Sequence, residues 1–214
     1  MAKSASEALC INLSQCIHAT AQPLAILRAS LGNSYVSRMS LKELRELAAS
    51  SAQEVERLCK LFSCLQQLVS MESIKPEISE TSIQPLLADV TDGVSLLFKK
   101  DRMQLRSIIS AHCQPVLIDK SRILQALSTV LMIAHAVSRP EDTIELIASP
   151  FASNTVRVVV QNQTSPIEAM NVETSLSMAF VEANIRSQHA VFSWSLKPFR
   201  VQIDLKGAPL AHTC

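Results

Sequence analysis

Glycine is scarce in this sequence, with only three in 214 residues: Gly32, Gly93 and Gly207. Glycine-rich loops allow backbone N–H groups to approach phosphates and allow positive φ angles. A chain with so little glycine is therefore a poor candidate for a phosphate-cradling loop. The sequence also contains no P-loop, no dinucleotide-binding fingerprint and neither the GxSxG nor the HExxH motif.

Charged residues are scarce as well. They make up 18% of the chain, against about 25% in typical domains, and the formal net charge is +1. Without a strong field of one sign, the sequence gives no reason to expect nucleic acid or an anionic membrane as a partner. Because apolar residues reach 48%, we expect another chain to cover part of the apolar surface.

Long apolar runs and paired cysteines are also missing. No run approaches the roughly 18 residues that cross a bilayer, and polar residues interrupt the N-terminus too often for a signal peptide. The sequence therefore predicts a cytoplasmic protein with no sensor domain of its own. The six cysteines include no CxxC pair, so we interpret them as buried side chains or free thiols rather than metal ligands.

Two long amphipathic helices are predicted at the N-terminus. Mostly apolar residues recur at alternating spacings of four and three from Leu13 to Leu31 and from Leu44 to Val69, which is typical of helices that pack on helices. Ser40 and Glu43 form a capping box for the second helix, which we expect to run to about Met71. One antiparallel hairpin cannot bury two such wide stripes. We therefore predict a homodimer built on a four-helix bundle.

The pattern changes after this hairpin. Helices are predicted over Ile83–Phe98, Asp119–Val137 and Val172–Ser187, with Asp119 as an N-cap. Between and after them lie β-branched stretches that read as strands, such as TIELIAS and TVRVVVQN, which we expect to pair antiparallel. The predicted fold class is α+β: a dimerising helical hairpin over residues 1–74, then a sheet with helices on one face over residues 79–214.

Three motifs, in order along the chain, resemble those of bacterial two-component histidine kinases. HATAQPL, beginning at His18, is similar to the family's His-Glu/Asp-x-x-Thr/Asn-Pro-Leu. DKSRILQALSTVL, beginning at Asp119, is similar to the helix that leads into the Asn box of the family's ATPase domain. LSMAFVEANIRSQHAVFSW is similar to the family's Gly-rich helix and following strand. The resemblance implies a dimerising hairpin followed by an α/β sandwich like the kinase ATPase domain.

The same resemblance shows where the chain departs from an active kinase. Ile133 stands where the family has the asparagine that holds Mg²⁺, and a hydrocarbon side chain offers no oxygen ligand. The span from Gln161 to Met178, where the family has its adenine-binding and lid glycines, contains no glycine. Ala19 stands where an acidic residue takes the proton from the phosphoacceptor histidine. We therefore expect no ATP binding and no cofactor, with Mg²⁺ only on a partner.

Phosphotransfer requires less of the chain than ATP-dependent phosphorylation. The receiver domain of a response regulator supplies the Mg²⁺ and the aspartyl phosphate, so the histidine needs only exposure and correct placement. We predict His18 as the phosphoacceptor, with Gln15, Gln22, Ala25 and Ala29 forming the face on which the receiver docks. Gln22 either orients the imidazole or is a solvated helix residue. The alternative function is a non-catalytic pseudokinase scaffold that binds or sequesters a response regulator without receiving phosphate.

Overall fold

The computed structural model describes residues 20–30, 39–73, 75–162 and 172–209. The chain divides into two compact units, Met1–Ser70 (unit 1) and Met71–Cys214 (unit 2). Across those described ranges, no helix is both long and apolar enough to cross a membrane.

Unit 1 is helical in its described parts. Helix α1 covers residues 20–30, and helix α2, most of which belongs to unit 1, runs from Leu41 to Ser73. The predicted capping box is confirmed, since the Ser40 N–H and hydroxyl each donate to the Glu43 carboxylate at 2.7 Å. In return, the Glu43 N–H donates to the Ser40 hydroxyl at 3.3 Å. The hairpin and the dimeric bundle stay predictions, because residues 1–19 and 31–38 lie outside the described residues.

Unit 2 contains a mixed sheet. In its described part the strands are β1 Ser79–Thr81, β2 Gln104–Ile109, β3 Val116–Ile118, β4 Thr143–Phe151, β5 Thr155–Asn162, β6 Val191–Leu196 and β7 Phe199–Lys206. Five of them form one sheet in the order β2-β4-β5-β7-β6, while β1 and β3 form a separate antiparallel pair. Strand β2 is parallel to β4. Strands β4 and β5 pair antiparallel as predicted, with Ile144 opposite Asn162.

Helices cover one face of this sheet. They are α3 Ile83–Lys100, α4 Lys120–Val137 and α5 Val172–Arg186, and they pack against β2, β5 and β6 respectively. Alternate residues of the strands, such as Ile144, Leu146 and Ala148 of β4, are buried toward the helices, while the residues between them are half-buried. The core of unit 2 therefore lies between the sheet and the helix layer. The α+β fold class is confirmed.

Candidate functional site

The predicted docking face is partly described. Gln22, Ala25 and Ala29 are exposed on α1, and their spacing of three and four residues places them on one face of the helix. Pro23 is buried. Gln15 and His18 lie outside the described residues, so the docking face and the phosphoacceptor stay predictions. The three described positions offer small or uncharged side chains, which suit the close approach of another protein.

The apolar stripe of α2 has exposed residues on both sides of the buried Leu58. Leu44, Val55 and Phe62 are 36%, 48% and 52% exposed in this single chain. Their spacing of eleven and seven residues places them on one side of the helix. Large apolar side chains on one helix face stabilise a protein only when they are covered.

The start of α4 is fixed by Asp119, whose predicted N-cap role is confirmed. One carboxylate oxygen accepts from the Arg122 N–H at 3.2 Å and from the Ser121 hydroxyl at 2.6 Å. The other accepts from the Glu77 N–H at 3.0 Å. Burial would raise the pKa of Asp119, but these hydrogen bonds and the charge of Arg122 lower it on balance. The Asp119 N–H donates to Gln188, so this residue ties α4 to the end of α5.

Ile133 lies in the fourth turn of α4 after the cap and is 6% exposed. This is the position that the resemblance gives to a Mg²⁺-binding asparagine. A buried isoleucine contributes to the core of unit 2 and has no atom that ligates a hard cation. The side chain at this position therefore stabilises the fold and cannot hold a metal ion.

The end of β5 is closed by a network that sequence reasoning missed. The fully buried Asn162 side chain donates to the Ser138 hydroxyl at 2.6 Å and to the Asp142 carboxylate at 3.0 Å. Asp142 also accepts from the Arg139 N–H at 2.9 Å. Asn162 lies at the start of the span where the resemblance places the adenine-binding residues. Its amide nitrogen already donates to two acceptors within unit 2. These acceptors are 24 and 20 residues away in the chain, so a local sequence pattern does not predict them.

His135 lies near the other end of α4 and is held by α3. Its Nε2 is 2.9 Å from the Asp101 carboxylate, and its ring meets the Phe98 ring edge-on at 5.2 Å between centroids. His135 therefore lies at the interface of α3 and α4. Within the described ranges, no group of three or more His, Cys, Asp or Glu side chains could hold a metal ion.

Comparisons with known proteins resolve the fold. No protein-family model and no curated protein matches the sequence, but many solved structures do. A histidine kinase of Acinetobacter baumannii, AdeS, is 17% identical, with a TM-score of 0.66 over 87% of this chain and 96% of that one. The fold is histidine-kinase-like. The catalytic domain of the histidine kinase ThkA is 16% identical, with a TM-score of 0.51 over 62% of this chain and 99% of that one.

A second ThkA structure matches over more of this chain. It is ThkA in complex with the response regulator protein TrrA, 14% identical, with a TM-score of 0.73 over 94% of this chain and 62% of that one. At these identities the likeness shows the fold alone. Unit 2 accordingly has an α+β fold that resembles a histidine-kinase ATPase domain, and it carries Ile133 and Asn162 within that fold.

Proposed function

We propose that this chain is a histidine phosphotransferase, a phosphorelay intermediate that works without ATP. In the proposed step, an imidazole nitrogen of His18 attacks the phosphorus of an aspartyl phosphate on a response regulator. An N–P bond forms, the O–P bond breaks, and the aspartate leaves as a carboxylate. The partner supplies the Mg²⁺ that neutralises charge on the phosphoryl oxygens. The reverse step passes the phosphoryl group to a second regulator.

The observation that carries this proposal is the histidine-kinase-like fold with a buried Ile133 at the Asn-box position. A chain that keeps the fold but has apolar packing at a ligand position is suited to the partner reactions of a kinase rather than to its nucleotide chemistry. The internal bonding of Asn162 supports the same conclusion, because a ligand would have to compete with Ser138 and Asp142 for that amide.

A response regulator is the partner that we assign to the exposed α1 face. The similar kinase ThkA has been solved with a response regulator protein, which supports a regulator as the partner of a chain with this fold. Gln22, Ala25 and Ala29 would meet the receiver domain beside Gln15 and His18. Side chains of this size allow a helix backbone and a partner to approach closely.

A homodimer is the assembly that we assign to unit 1. The exposed stripe residues Leu44, Val55 and Phe62 of α2 support it, since a second copy would cover them in a four-helix bundle. Sedimentation equilibrium tests this assignment: a dimer is expected, and Val55→Glu with Phe62→Glu should give a monomer. A monomeric unaltered chain would contradict it.

Phosphotransfer is tested directly. Response regulators are first phosphorylated with a small-molecule phosphodonor, and the phosphodonor is then removed. The phosphorylated regulators are mixed with the chain, and acid-labile phosphate on the chain is measured. Labelling is expected from a cognate regulator and should be abolished by His18→Ala. His112→Ala and His189→Ala, at exposed positions of unit 2, serve as matched controls that keep the label. Labelling that persists in His18→Ala would remove His18 from the mechanism.

The second candidate function is a non-catalytic pseudokinase scaffold. Ala19 favours it, because the position beside His18 lacks the acidic side chain that takes its proton. A scaffold would bind a regulator stoichiometrically and leave its phosphorylation unchanged. Binding without acid-labile phosphate on the chain would therefore establish this function in place of phosphotransfer.

A further inference from the structure

The C-terminal end of α3 combines exposed apolar and basic side chains. Leu96 is 80% exposed, the largest exposed fraction among the described large apolar residues, and Leu97 is 37% exposed. Lys99, Lys100 and Arg102 follow within six residues and are all exposed. We call these five residues the α3-end patch. Solvation accounts for the three exposed cations but not for the exposed leucines.

Arg102 holds a backbone conformation that most side chains avoid. Its φ is +57°, in the left-handed region where glycine usually ends a helix. The N–H of Arg102 donates to the Lys99 carbonyl at 3.3 Å, and that of Met103 donates to the Phe98 carbonyl at 2.9 Å. Both Phe98 and Met103 are buried, so the core fixes this cap. The chain thus keeps a cation at a position where glycine would be favoured.

The patch has a net positive charge, because Lys99, Lys100 and Arg102 outnumber the adjacent Asp101. The Asp101 carboxylate lies 2.9 Å from His135. Lysines at the end of a helix are favourable for the helix dipole, which explains Lys99 and Lys100 but not the apolar centre. An apolar centre with a cationic rim is the composition of a protein interface, where the centre supplies affinity and the rim supplies steering.

We propose that the α3-end patch is a docking surface for an acidic surface of the response regulator. This rests on the proposed function, which brings that regulator to the chain. Charge complementarity selects the occupant: cations around Leu96 match carboxylates around an apolar side chain. An anionic membrane carries the same sign of charge as an acidic protein surface, so the vesicle measurement below distinguishes the two.

The test measures binding of the regulator's receiver domain to the full chain by calorimetry at low and high salt. Leu96→Ser is expected to raise the Kd about tenfold, as for a central interface residue. The double variant Lys99→Glu with Lys100→Glu should raise it about tenfold at low salt and much less at high salt. Matched controls are Val191→Ser and Lys197→Glu, exposed positions elsewhere in unit 2, which should leave the Kd unchanged.

The outcomes separate the two proposals. If the patch variants have unchanged Kd values and phosphotransfer is intact, the α3-end patch is not a docking surface, and the proposed function is unaffected. Binding that depends on Leu96 without any phosphotransfer supports the patch and favours the scaffold function. No binding by the unaltered chain overturns both. Binding of phosphatidylglycerol vesicles that is lost in the lysine variants, with no change in regulator binding, assigns the patch to a membrane and overturns the proposal.

Discussion

A buried amide in α5 gives the sharpest test of how unit 2 is stabilised. Asn184 is fully buried, and neither its side-chain oxygen nor its side-chain nitrogen has a hydrogen-bond partner among the described residues. Burying an unpaired polar group costs about 1–3 kcal/mol. Leucine has the same branched shape and the same number of side-chain heavy atoms, and it is a better helix former. Asn184→Leu is therefore expected to raise the free energy of unfolding by about 1–3 kcal/mol.

The assay is urea unfolding followed by tryptophan fluorescence. Trp194 is the only tryptophan of the chain and lies on β6 of unit 2, so the signal reports the unit that contains Asn184. Thermal unfolding should show the same gain as a higher Tm, on the order of 4 °C per kcal/mol for a domain of this size.

The same substitution at a second buried asparagine is the matched control. Asn162 donates to Ser138 and Asp142, so Asn162→Leu leaves both acceptors short of a donor and should lower the free energy of unfolding by about 1–3 kcal/mol. We therefore expect the free energy of unfolding to rise in Asn184→Leu and to fall in Asn162→Leu. If Asn184→Leu destabilises unit 2 as much as Asn162→Leu does, the reasoning from unpaired burial is refuted.

Two further predictions concern caps in unit 2. The pKa of Asp119 is lowered from 3.8, so its contribution to stability is complete above the unfolded pKa and is lost as pH falls through the folded value. In urea unfolding, the free energy of unfolding should therefore fall between about pH 5 and pH 2, the range in which carboxyl groups titrate, and it should fall more in the unaltered chain than in Asp119→Asn. Equal losses in the two proteins would contradict the N-cap assignment. Arg102→Gly should raise the free energy of unfolding by about 1 kcal/mol, because glycine takes a positive φ without strain. An unchanged or lower value would show that the left-handed cap is not strained.

Local signals in the sequence were sufficient for most helices. Asp119 caps α4 through a bond to a residue three positions away, and such contacts are legible in a sequence window. Helix α3 shows the limit, since it is predicted to end at Phe98 but continues to Lys100. Its cap uses Arg102 rather than glycine, so the usual stop signal is missing.

Non-local pairing could not be predicted in the same way. Strand β1 has the sequence SET, which carries no strand pattern, and it forms because it pairs with β3. The bonds from Asn162 to Ser138 and Asp142 likewise depend on how the end of β5 meets the α4–β4 connection. Ile133 and the glycine-free span could be noted from the sequence because they lie where the resemblance places family motifs.

An asparagine at position 133 tests the prediction that unit 2 does not bind ATP. Ile133→Asn puts an amide at the Asn-box position, but the side chain there is 6% exposed. Loss of a buried isoleucine costs about 1.5–3 kcal/mol of apolar burial, and a buried amide without a partner adds about 1–3 kcal/mol. We therefore expect weaker stability in urea and no heat of Mg²⁺-ATP binding by calorimetry. Nucleotide binding by this variant would show that one ligand was all the site lacked, and that the glycine-free span from Gln161 to Met178 is no barrier to ATP.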